Sequence, residues 1–236
     1  MGERPISGIS RLETPVAVEG LAPLTERGWL ATQPAAFQDW MARNGRWHLY
    51  APQQVLYDAG EEPDALYGLG EGALEVTLPL VGDEPVTVHR AEPGFWLGES
   101  ALLARTTRLL TLTAATEARV FRVPAARIRA LVAEQPEAWN SLYELSHLNA
   151  SLAVTLLAEA LALSPRARLA RMLLRLADGE GRVVARQEEL ARLIGMTRSS
   201  LQRALAGLAE VGAVSSGYGS LVVRDRAALK AMRDEA

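Results

Sequence analysis

Short apolar or alternating runs, separated by turn residues, fill the chain from residue 50 to residue 123. In 74–78 and 86–88 apolar and polar residues alternate, which predicts strands with one packed and one solvated face. Several runs end in glycine-containing turns, and this pattern predicts a small antiparallel barrel or sandwich. The expected strand runs are 54–57, 65–69, 73–81, 85–89, 109–116 and 119–123.

The segments outside this region follow other patterns. Residues 1–22 mix glycine, proline, serine and charged residues without periodicity, so we expect a loose tail there. The apolar residues of 35–48 have helical spacing, which predicts a short helix before the strands. The expected domains after the tail are a barrel domain over 23–134, a long helix over 135–163 and a C-terminal domain over 164–236.

The long helix carries a seam of residues spaced alternately by three and four. Such a heptad pattern predicts a homodimer helix, in which a polar residue at an a-type position fixes register. The alternative is a helix that packs this stripe on its own barrel; we favour the dimer because the stripe is long and narrow. Ser164-Pro165 ends the helix. The seam consists of Leu142, Leu145, Asn149, Leu152, Leu156, Glu159 and Leu163.

Residues 187–209 predict two short helices around a sharp bend. Gly195 lies at the bend, where a residue without Cβ is favoured. Thr197 suits the N-cap of the second helix, expected over 197–209. The arrangement is typical of a helix-turn-helix. The inward face of the second helix is Leu201, Ala204, Leu205 and Leu208.

The outward face of the second helix has side chains suited to a DNA major groove. Arginine can make a bidentate contact to guanine, glutamine to adenine, and serine can contact base or phosphate. The segment 211–223 reads as two strands with a glycine-rich turn, which predicts a wing beside the helices. A helical hairpin with no role in DNA binding is the alternative. The candidate DNA-binding residues are Arg186, Gln187, Thr197, Arg198, Ser199, Gln202 and Arg203, and Arg192 is a further candidate for phosphate contact.

Composition excludes several classes of site. At 49% hydrophobic and 22% charged residues the chain is expected to be globular. It has no cysteine, which excludes disulfides, thiolate zinc sites and cysteine-held iron–sulfur clusters. The three histidines, His48, His89 and His147, have no paired spacing for a metal. Apolar stretches are broken well before the ~20 residues of a membrane span, and no signal segment opens the chain, so we expect a cytoplasmic protein without a membrane partner.

Charge is distributed unevenly. Residues 1–165 carry 12 basic and 20 acidic side chains, net −8, whereas residues 166–226 carry 11 arginines and 6 acids, net +5. A basic module on an acidic one is typical of a chain with one segment facing a polyanion, because fixed positive charge favours phosphate approach and counterion release. A solvated arginine-rich surface is the alternative.

Taken in order, a small barrel, a long helix and a winged helix-turn-helix resemble the Crp/Fnr superfamily of bacterial transcription regulators over about residues 48–230. The resemblance implies an α+β fold with an N-terminal cyclic-nucleotide-binding-like barrel, a dimerisation helix and a C-terminal DNA-binding domain. The segment 95–103, followed by Arg108, is similar to the family's phosphate-binding cassette. That similarity implies phosphate and ribose contacts from the backbone of Gly98 and Glu99 and from the Arg108 guanidinium, with Ser100 and Leu109 beside them.

This chain also departs from the cassette. The nucleotide-binding members have two small residues, one a hydroxyl, directly after the arginine, where Leu109 and Leu110 stand here. Positions that face the purine in the cyclic-AMP binder fall near Ala153 and Val154, whose side chains cannot hydrogen-bond. Cyclic AMP is therefore disfavoured, and the effector is unknown. The alternative for Gly98, Glu99 and Arg108 is plain architecture: a turn, a solvated acid and an ion pair.

The resulting hypothesis is a homodimeric regulator that reads a palindromic DNA site, is controlled by a small ligand in the barrel, and has RNA polymerase as a further candidate partner. Haem sensing is disfavoured because His89 and His147 read as ordinary strand and helix residues. In the second helix of the helix-turn-helix, Ser199 replaces a glutamate that is common in the family, which predicts a different operator sequence. The competing hypothesis is a ligand-sensing module whose winged domain mediates protein contacts. An enzyme is not expected, since no phosphate-loop or nucleophile motif is present, and 68–72 reads as a turn.

Overall fold

The computed structural model describes residues 15–16, 20–79, 85–217 and 220–233. The strands are β1 (Pro15–Val16), β2 (Arg46–Tyr50), β3 (Val55–Tyr57), β4 (Ala65–Glu71), β5 (Leu74–Leu78), β6 (Val86–Ala91), β7 (Trp96–Leu97), β8 (Thr111–Ala114), β9 (Ala118–Pro124), β10 (Arg182–Val183), β11 (Val214–Gly217) and β12 (Ser220–Val223). The helices are α1 (Ala35–Asn44), α2 (Glu99–Ala104), α3 (Ala125–Glu134), α4 (Ala138–Ala162), α5 (Pro165–Leu176), α6 (Gln187–Leu193), α7 (Arg198–Glu210) and α8 (Arg226–Met232), and a short 3-10 helix spans Trp29–Thr32.

Two antiparallel sheets form the predicted barrel. One sheet has the strand order β1-β2-β9-β4-β7 and the other β3-β8-β5-β6. Their inner faces meet in a core that includes Leu56, Leu69, Leu112 and Val120, each at most 3% exposed. The alternating patterns of β5 and β6 correspond to this arrangement, because residues on one face of a strand enter the core and the others face outward.

A second core fills the space between the first sheet and the helices that cover it. Trp47, Trp96 and Phe121 come from β2, β7 and β9, and their rings pack edge to face. Leu142 and Leu145 of α4 are buried in the same cluster, and the indole of Trp29 donates a 2.8 Å hydrogen bond to the carbonyl oxygen of Ser141. The first half of α4 is therefore fastened to its own barrel.

The expected dimer seam was wrong for its first half. Leu142 and Leu145 are 0% and 2% exposed, so they cannot reach a partner helix. Asn149 donates hydrogen bonds to the Trp96 carbonyl oxygen and to Glu99, which ties its amide to the barrel as well. The interpretation that α4 packs this stripe on its own barrel is the correct one here, because β7 and α2 lie against that face.

A different stripe of α4 faces solvent in the described residues. Its members are spaced alternately by four and three, as in a heptad seam. Tyr143, Val154 and Leu161 are 70%, 66% and 80% exposed, unusual values for large apolar side chains. The exposed stripe consists of Tyr143, His147, Ala150, Val154, Leu157 and Leu161.

By length and composition alone, α4 could cross a membrane, although the sequence suggested that no apolar stretch was long enough. Contacts within the protein explain part of the apolar composition of this helix without a membrane. Its N-terminal half supplies leucines to the barrel core, and Glu159 in its last turns is 7% exposed and accepts hydrogen bonds from Arg171 and Arg175 of α5.

The C-terminal domain has its own core between α5, α6, α7, α8 and the sheet β10-β12-β11. Leu169, Leu173, Leu190, Leu201 and Leu208 are completely buried in it. The two longer strands, β11 and β12, pair directly after α7, so the predicted wing is confirmed for the residues described; Tyr218 and Gly219, in its glycine-rich turn, lie outside them.

Two local expectations differ from the structure. The short helix ends at Asn44, and Arg46–Tyr50 is strand β2, because Trp47 and Tyr50 point into the two cores. Residues 68–72 were expected to be a turn, but β4 runs through Gly68 and Gly70. A Cβ at either glycine would lie 2.6 Å from the ring of Trp96 or Trp47, so these glycines admit the two indoles.

The predicted loose tail is also corrected where the structure describes it. Strand β1 pairs with β2 at Trp47 and His48, and Leu21 is 7% exposed. Residues 1–14 and 17–19 of that predicted tail lie outside the described residues.

Candidate nucleic-acid interface and ligand cavity

The helix-turn-helix is built as its local sequence requires. The first helix, α6, ends at Leu193, and Gly195 has φ +62, the left-handed conformation that a residue without Cβ adopts at little cost. The Thr197 hydroxyl accepts a 3.2 Å hydrogen bond from the Ser200 amide and so caps α7. Leu201 and Leu205 anchor α7 in the domain core, which fixes the opposite face toward solvent.

The structure brings the predicted reading residues together on that solvent face. Thr197, Arg198, Ser199, Gln202 and Arg203 are all exposed. The Arg198 guanidinium lies 3.6 Å from the carboxylate of Glu188, and both side chains are about two-thirds exposed, so the pair is weak and easily exchanged for another anion. An open row of guanidinium, amide and hydroxyl groups on a helix is the chemistry that reads base edges in a major groove.

Three further arginines of the domain have different surroundings. Arg186, at the N-cap of α6, is exposed next to Gln187, and its phosphate contact stays a prediction. Arg192 is mostly exposed, and its guanidinium lies 3.8 Å from Glu75 of the barrel, so its phosphate contact stays a prediction. Arg224 donates to the Ser215 hydroxyl across the wing and stiffens it.

The cassette residues also meet in space, but their polar groups are used inside the barrel. Arg108 is 4% exposed; it donates 2.9 Å hydrogen bonds to Asp64 and to the Ala65 carbonyl oxygen, and its guanidinium lies 3.8 Å above the ring of Tyr57. Gly98 has φ +107, and a Cβ there would approach Arg108 to 3.0 Å. The interpretation of Arg108 as part of an ion pair fits these contacts.

Burial alone would raise the pKa of Asp64, but hydrogen bonds from Arg122, Arg108 and Tyr67 outweigh it and lower the pKa to about 2. The carboxylate is thus ionised at neutral pH and holds the Arg108 guanidinium. Asp64 lies 44 residues before Arg108 and was not recognised in the sequence; no local signal marks it.

The side chain of Glu99 is not the solvated acid that the alternative interpretation expected. It is 3% exposed and accepts a 3.0 Å hydrogen bond from the Asn149 amide. Burial raises the pKa of its carboxyl group, and the hydrogen bond from Asn149 opposes this only in part. By contrast Ser100 is exposed at the start of α2, and Leu109 is 73% exposed.

A cavity of about 920 Å³, here called the junction cavity, lies where the barrel, α4, α5 and the helix-turn-helix bend meet. Leu97, Leu109 and Leu110 line it from the barrel, so the two leucines after the cassette arginine form a wall. Leu152 and Leu156, expected on the dimer seam, and Ala153 line it from α4. The part of the cavity wall formed by these residues is aliphatic.

Arg90 is the main polar link across this junction, and no pattern in the sequence pointed to it. Its side chain is 4% exposed and bonds to the Val184 carbonyl oxygen at 3.0 Å and to Glu189 at 3.3 Å, both in the C-terminal domain. Glu189 in turn accepts from the Arg186 amide at the start of α6. Through these bonds the first helix of the helix-turn-helix is attached to strand β6.

Comparisons with known proteins agree with this architecture. Residues 167–232 match the model of the Crp-like helix-turn-helix domain, and residues 47–135 match that of the cyclic nucleotide-binding domain. The chain is 31% identical over 189 residues to the transcriptional regulator LdrP of Thermus thermophilus, covering 77% of this chain and 93% of the relative. It is 29% identical over 187 residues to the cyclic AMP receptor protein of the same species, covering 77% and 85%.

The fold is also similar to solved structures. A CRP-family transcriptional regulator from Thermus thermophilus superimposes with a TM-score of 0.66 at 29% identity, over 80% of this chain and 97% of that one. FixK2 from Bradyrhizobium japonicum, at 18% identity and a TM-score of 0.69 over 81% of this chain and 98% of that one, shares the fold.

Proposed function

The chain belongs to the Crp/Fnr superfamily of transcriptional regulators, and from that premise we propose that it acts as a homodimer that binds a two-fold symmetric DNA site through α7. The observation that carries the proposal is the exposed row of Arg198, Gln202 and Arg203 on a helix whose opposite face is anchored in the domain core. Arginine can donate two hydrogen bonds to guanine, whereas the glutamine amide donates one hydrogen bond to adenine and accepts another from it. The buried anchor fixes the register of these groups.

The dimer that we propose uses the exposed stripe of α4 in place of the seam read from the sequence. Tyr143, Val154, Leu157 and Leu161 are more than half exposed in one chain. Pairing this stripe with its copy across a two-fold axis removes the apolar area from water, and its alternating spacing allows knobs-into-holes packing. Leu163, half-buried at the end of α4, lies just beyond the stripe.

We propose a small-molecule effector other than cyclic AMP. One relative is named a cyclic AMP receptor protein, but here the Arg108 guanidinium is paired with Asp64, and leucines line the cavity beside it. A phosphate that binds the buried Arg108 guanidinium would have to displace Asp64, and the purine would meet side chains without hydrogen-bonding groups. We also propose that the protein lies in the cytoplasm and contacts RNA polymerase, as expected for a transcriptional regulator. We propose no enzymatic role.

Selection of duplexes from a random DNA pool with the purified full-length protein tests this function. We expect enrichment of a palindrome whose half-sites lie about one helical turn apart, ~34 Å, because two α7 helices related by a two-fold axis enter successive major grooves. The variant Arg198→Ala/Gln202→Ala should enrich no sequence, whereas Arg129→Ala, at an exposed position of α3, serves as the matched control. If the unaltered protein enriches no sequence either, the proposed function is contradicted. The alternative, a winged domain that binds other proteins, is then favoured.

A further inference from the structure

The junction cavity has the volume of a ligand site, and its walls come from both domains and are mostly apolar. Its volume of about 920 Å³ is within the ~300–1,000 Å³ typical of small-molecule pockets. Strands β5 and β6 form one wall, α4 and α5 form another, and the bend at Gly195 forms the third. Apolar side chains from all three walls face the space, among them Val76, Val88, Leu156, Met172 and Leu193.

The polar groups along this cavity are mostly engaged with one another. Both carboxylate oxygens of Glu159 accept hydrogen bonds from Arg175, and one also accepts from Arg171. The amide of Asn149 donates its hydrogen bonds to Trp96 and Glu99. Burial lowers the pKa of His89 to about 4, with a smaller contribution from the charge of Arg175. At neutral pH the His89 ring is therefore uncharged, and it lies 5.1 Å from the ring of Phe95.

Arg168 is the exception. It lines the cavity from α5, and one of its terminal nitrogens donates a 2.9 Å hydrogen bond to the Ala160 carbonyl oxygen. Its Nε is buried without a hydrogen-bond partner, and within the described residues no carboxylate lies in ion-pair distance of its guanidinium. A cation in this position favours an anionic group with two oxygens, which matches the fork of a guanidinium.

We propose that the junction cavity binds a long-chain carboxylate, whose apolar chain lies between β6, α4 and the helix-turn-helix bend and whose carboxylate pairs with Arg168. Burial of the ligand's alkyl chain supplies the affinity, because apolar surface of both the ligand and the cavity wall is removed from water. The charge pair orients the molecule and selects an acid over a neutral chain of equal length.

The ligand would touch both domains at once, which gives the site a regulatory consequence that rests on the proposed DNA-binding function. Val88 belongs to the barrel, whereas Leu193, Ile194 and Gly195 belong to the helix-turn-helix. A bound chain would therefore stabilise the docking of α6 on β6, and by linkage it would change the affinity for DNA.

Binding is tested on the full-length protein with cis-parinaric acid, a fluorescent long-chain carboxylate, displaced by hexadecanoate. We expect saturable binding in the micromolar range, and displacement at least 10-fold weaker by hexadecanol, which has the chain without the charge. Arg168→Gln should weaken hexadecanoate about 10-fold and leave hexadecanol unchanged. Arg129→Gln, with the same loss of charge on the exposed face of α3, should alter neither.

The variant Val88→Trp fills the cavity from a side chain that is 38% exposed, so it need not disturb the core. It should lose cis-parinaric acid binding while keeping its thermal unfolding midpoint. Equal binding by this variant and the unaltered protein, or no saturable binding by the unaltered protein, would overturn the site; equal displacement by hexadecanol would overturn the role of Arg168.

The regulatory step is measured separately, as the Kd for the selected duplex with and without hexadecanoate. We expect a change of 5-fold or more in the unaltered protein and none in Val88→Trp. If hexadecanoate binds but the Kd for DNA is unchanged, the coupling is refuted and the binding site stands. If hexadecanoate binds but no duplex does, only the proposed DNA-binding function is refuted.

Discussion

The guanidinium of Arg90 on strand β6 donates a 3.0 Å hydrogen bond to the carbonyl oxygen of Val184, 94 residues later in the C-terminal domain. The same side chain contacts Glu189, which also caps α6. One buried arginine thus fastens the helix-turn-helix to the barrel beside the junction cavity, and the orientation of α7 relative to α4 depends on this attachment.

Replacement of Arg90 by alanine should release the C-terminal domain from the barrel. Hydrogen bonds to a charged group contribute ~1.5–3 kcal/mol, and the replacement removes the ion-pair partner of Glu189. We expect one unfolding transition in differential scanning calorimetry for the unaltered protein and two for Arg90→Ala. Arg129→Ala should keep one transition, and a single unshifted transition for Arg90→Ala would show that the link is energetically unimportant.

The exposed stripe makes a prediction about assembly. Leu157→Glu places a charge on the surface that we propose to be shared by two chains, so it should convert the dimer to a monomer in sedimentation equilibrium. Ser151→Glu, on an exposed position of α4 outside the stripe, is the control. A Leu157→Glu protein that remains dimeric at micromolar concentration would place the interface elsewhere.

Leu142 tests the same helix from its other side. Because its side chain is fully buried in the barrel core, Leu142→Ala should reduce the free energy of unfolding by about 2–5 kcal/mol. The dimer should persist under conditions in which the variant is folded. Urea unfolding combined with sedimentation measures both effects, and dissociation without loss of stability would restore Leu142 to the interface.

Arg203 should distinguish specific from general DNA contact. If its guanidinium reads a base, Arg203→Ala costs about 1–3 kcal/mol on the selected duplex and little on random DNA. Fluorescence anisotropy at fixed salt gives both affinities. An equal loss on the two duplexes would identify Arg203 as a phosphate contact, as we expect for Arg186→Ala.

Acid should weaken the barrel through Asp64. The pKa of Asp64 is lowered to about 2 from its ordinary value of 3.8, so its stabilising contribution is complete above pH 3.8 and is lost as the pH falls toward 2. The difference in urea midpoint between the unaltered protein and Asp64→Asn should therefore shrink between pH 5 and pH 2.5. A difference that stays constant would show that Asp64 is not ionised in the folded protein.

Local patterns predicted the elements well, and long-range packing explains the errors. The bend at Gly195, the Thr197 cap and the apolar face of α7 are adjacent in sequence, so the helix-turn-helix was predictable and is confirmed. In contrast, α4 carries two heptad stripes offset alternately by one and two residues, and only the position of the barrel decides which one is buried. The sequence of the helix cannot make that choice.

The same limitation applied to the barrel site. The cassette pattern located Gly98 and Arg108 next to each other, as the structure shows. The ion pair of Arg108 was one of the alternatives read from the sequence, but its partner was not identified, because Asp64 and Tyr57 are distant in sequence and set the direction of the guanidinium. Arg90 was missed because an arginine in a strand gives no sign of a partner 94 residues away.

The most direct test of the account is a competition titration of the full-length protein between the selected palindrome and a duplex of the same composition in scrambled order. We predict a preference of at least ~10³-fold for the palindrome at physiological salt, with two chains bound per duplex. Equal affinity for the two duplexes, or one chain per palindrome, would contradict a dimer that reads DNA sequence through α7.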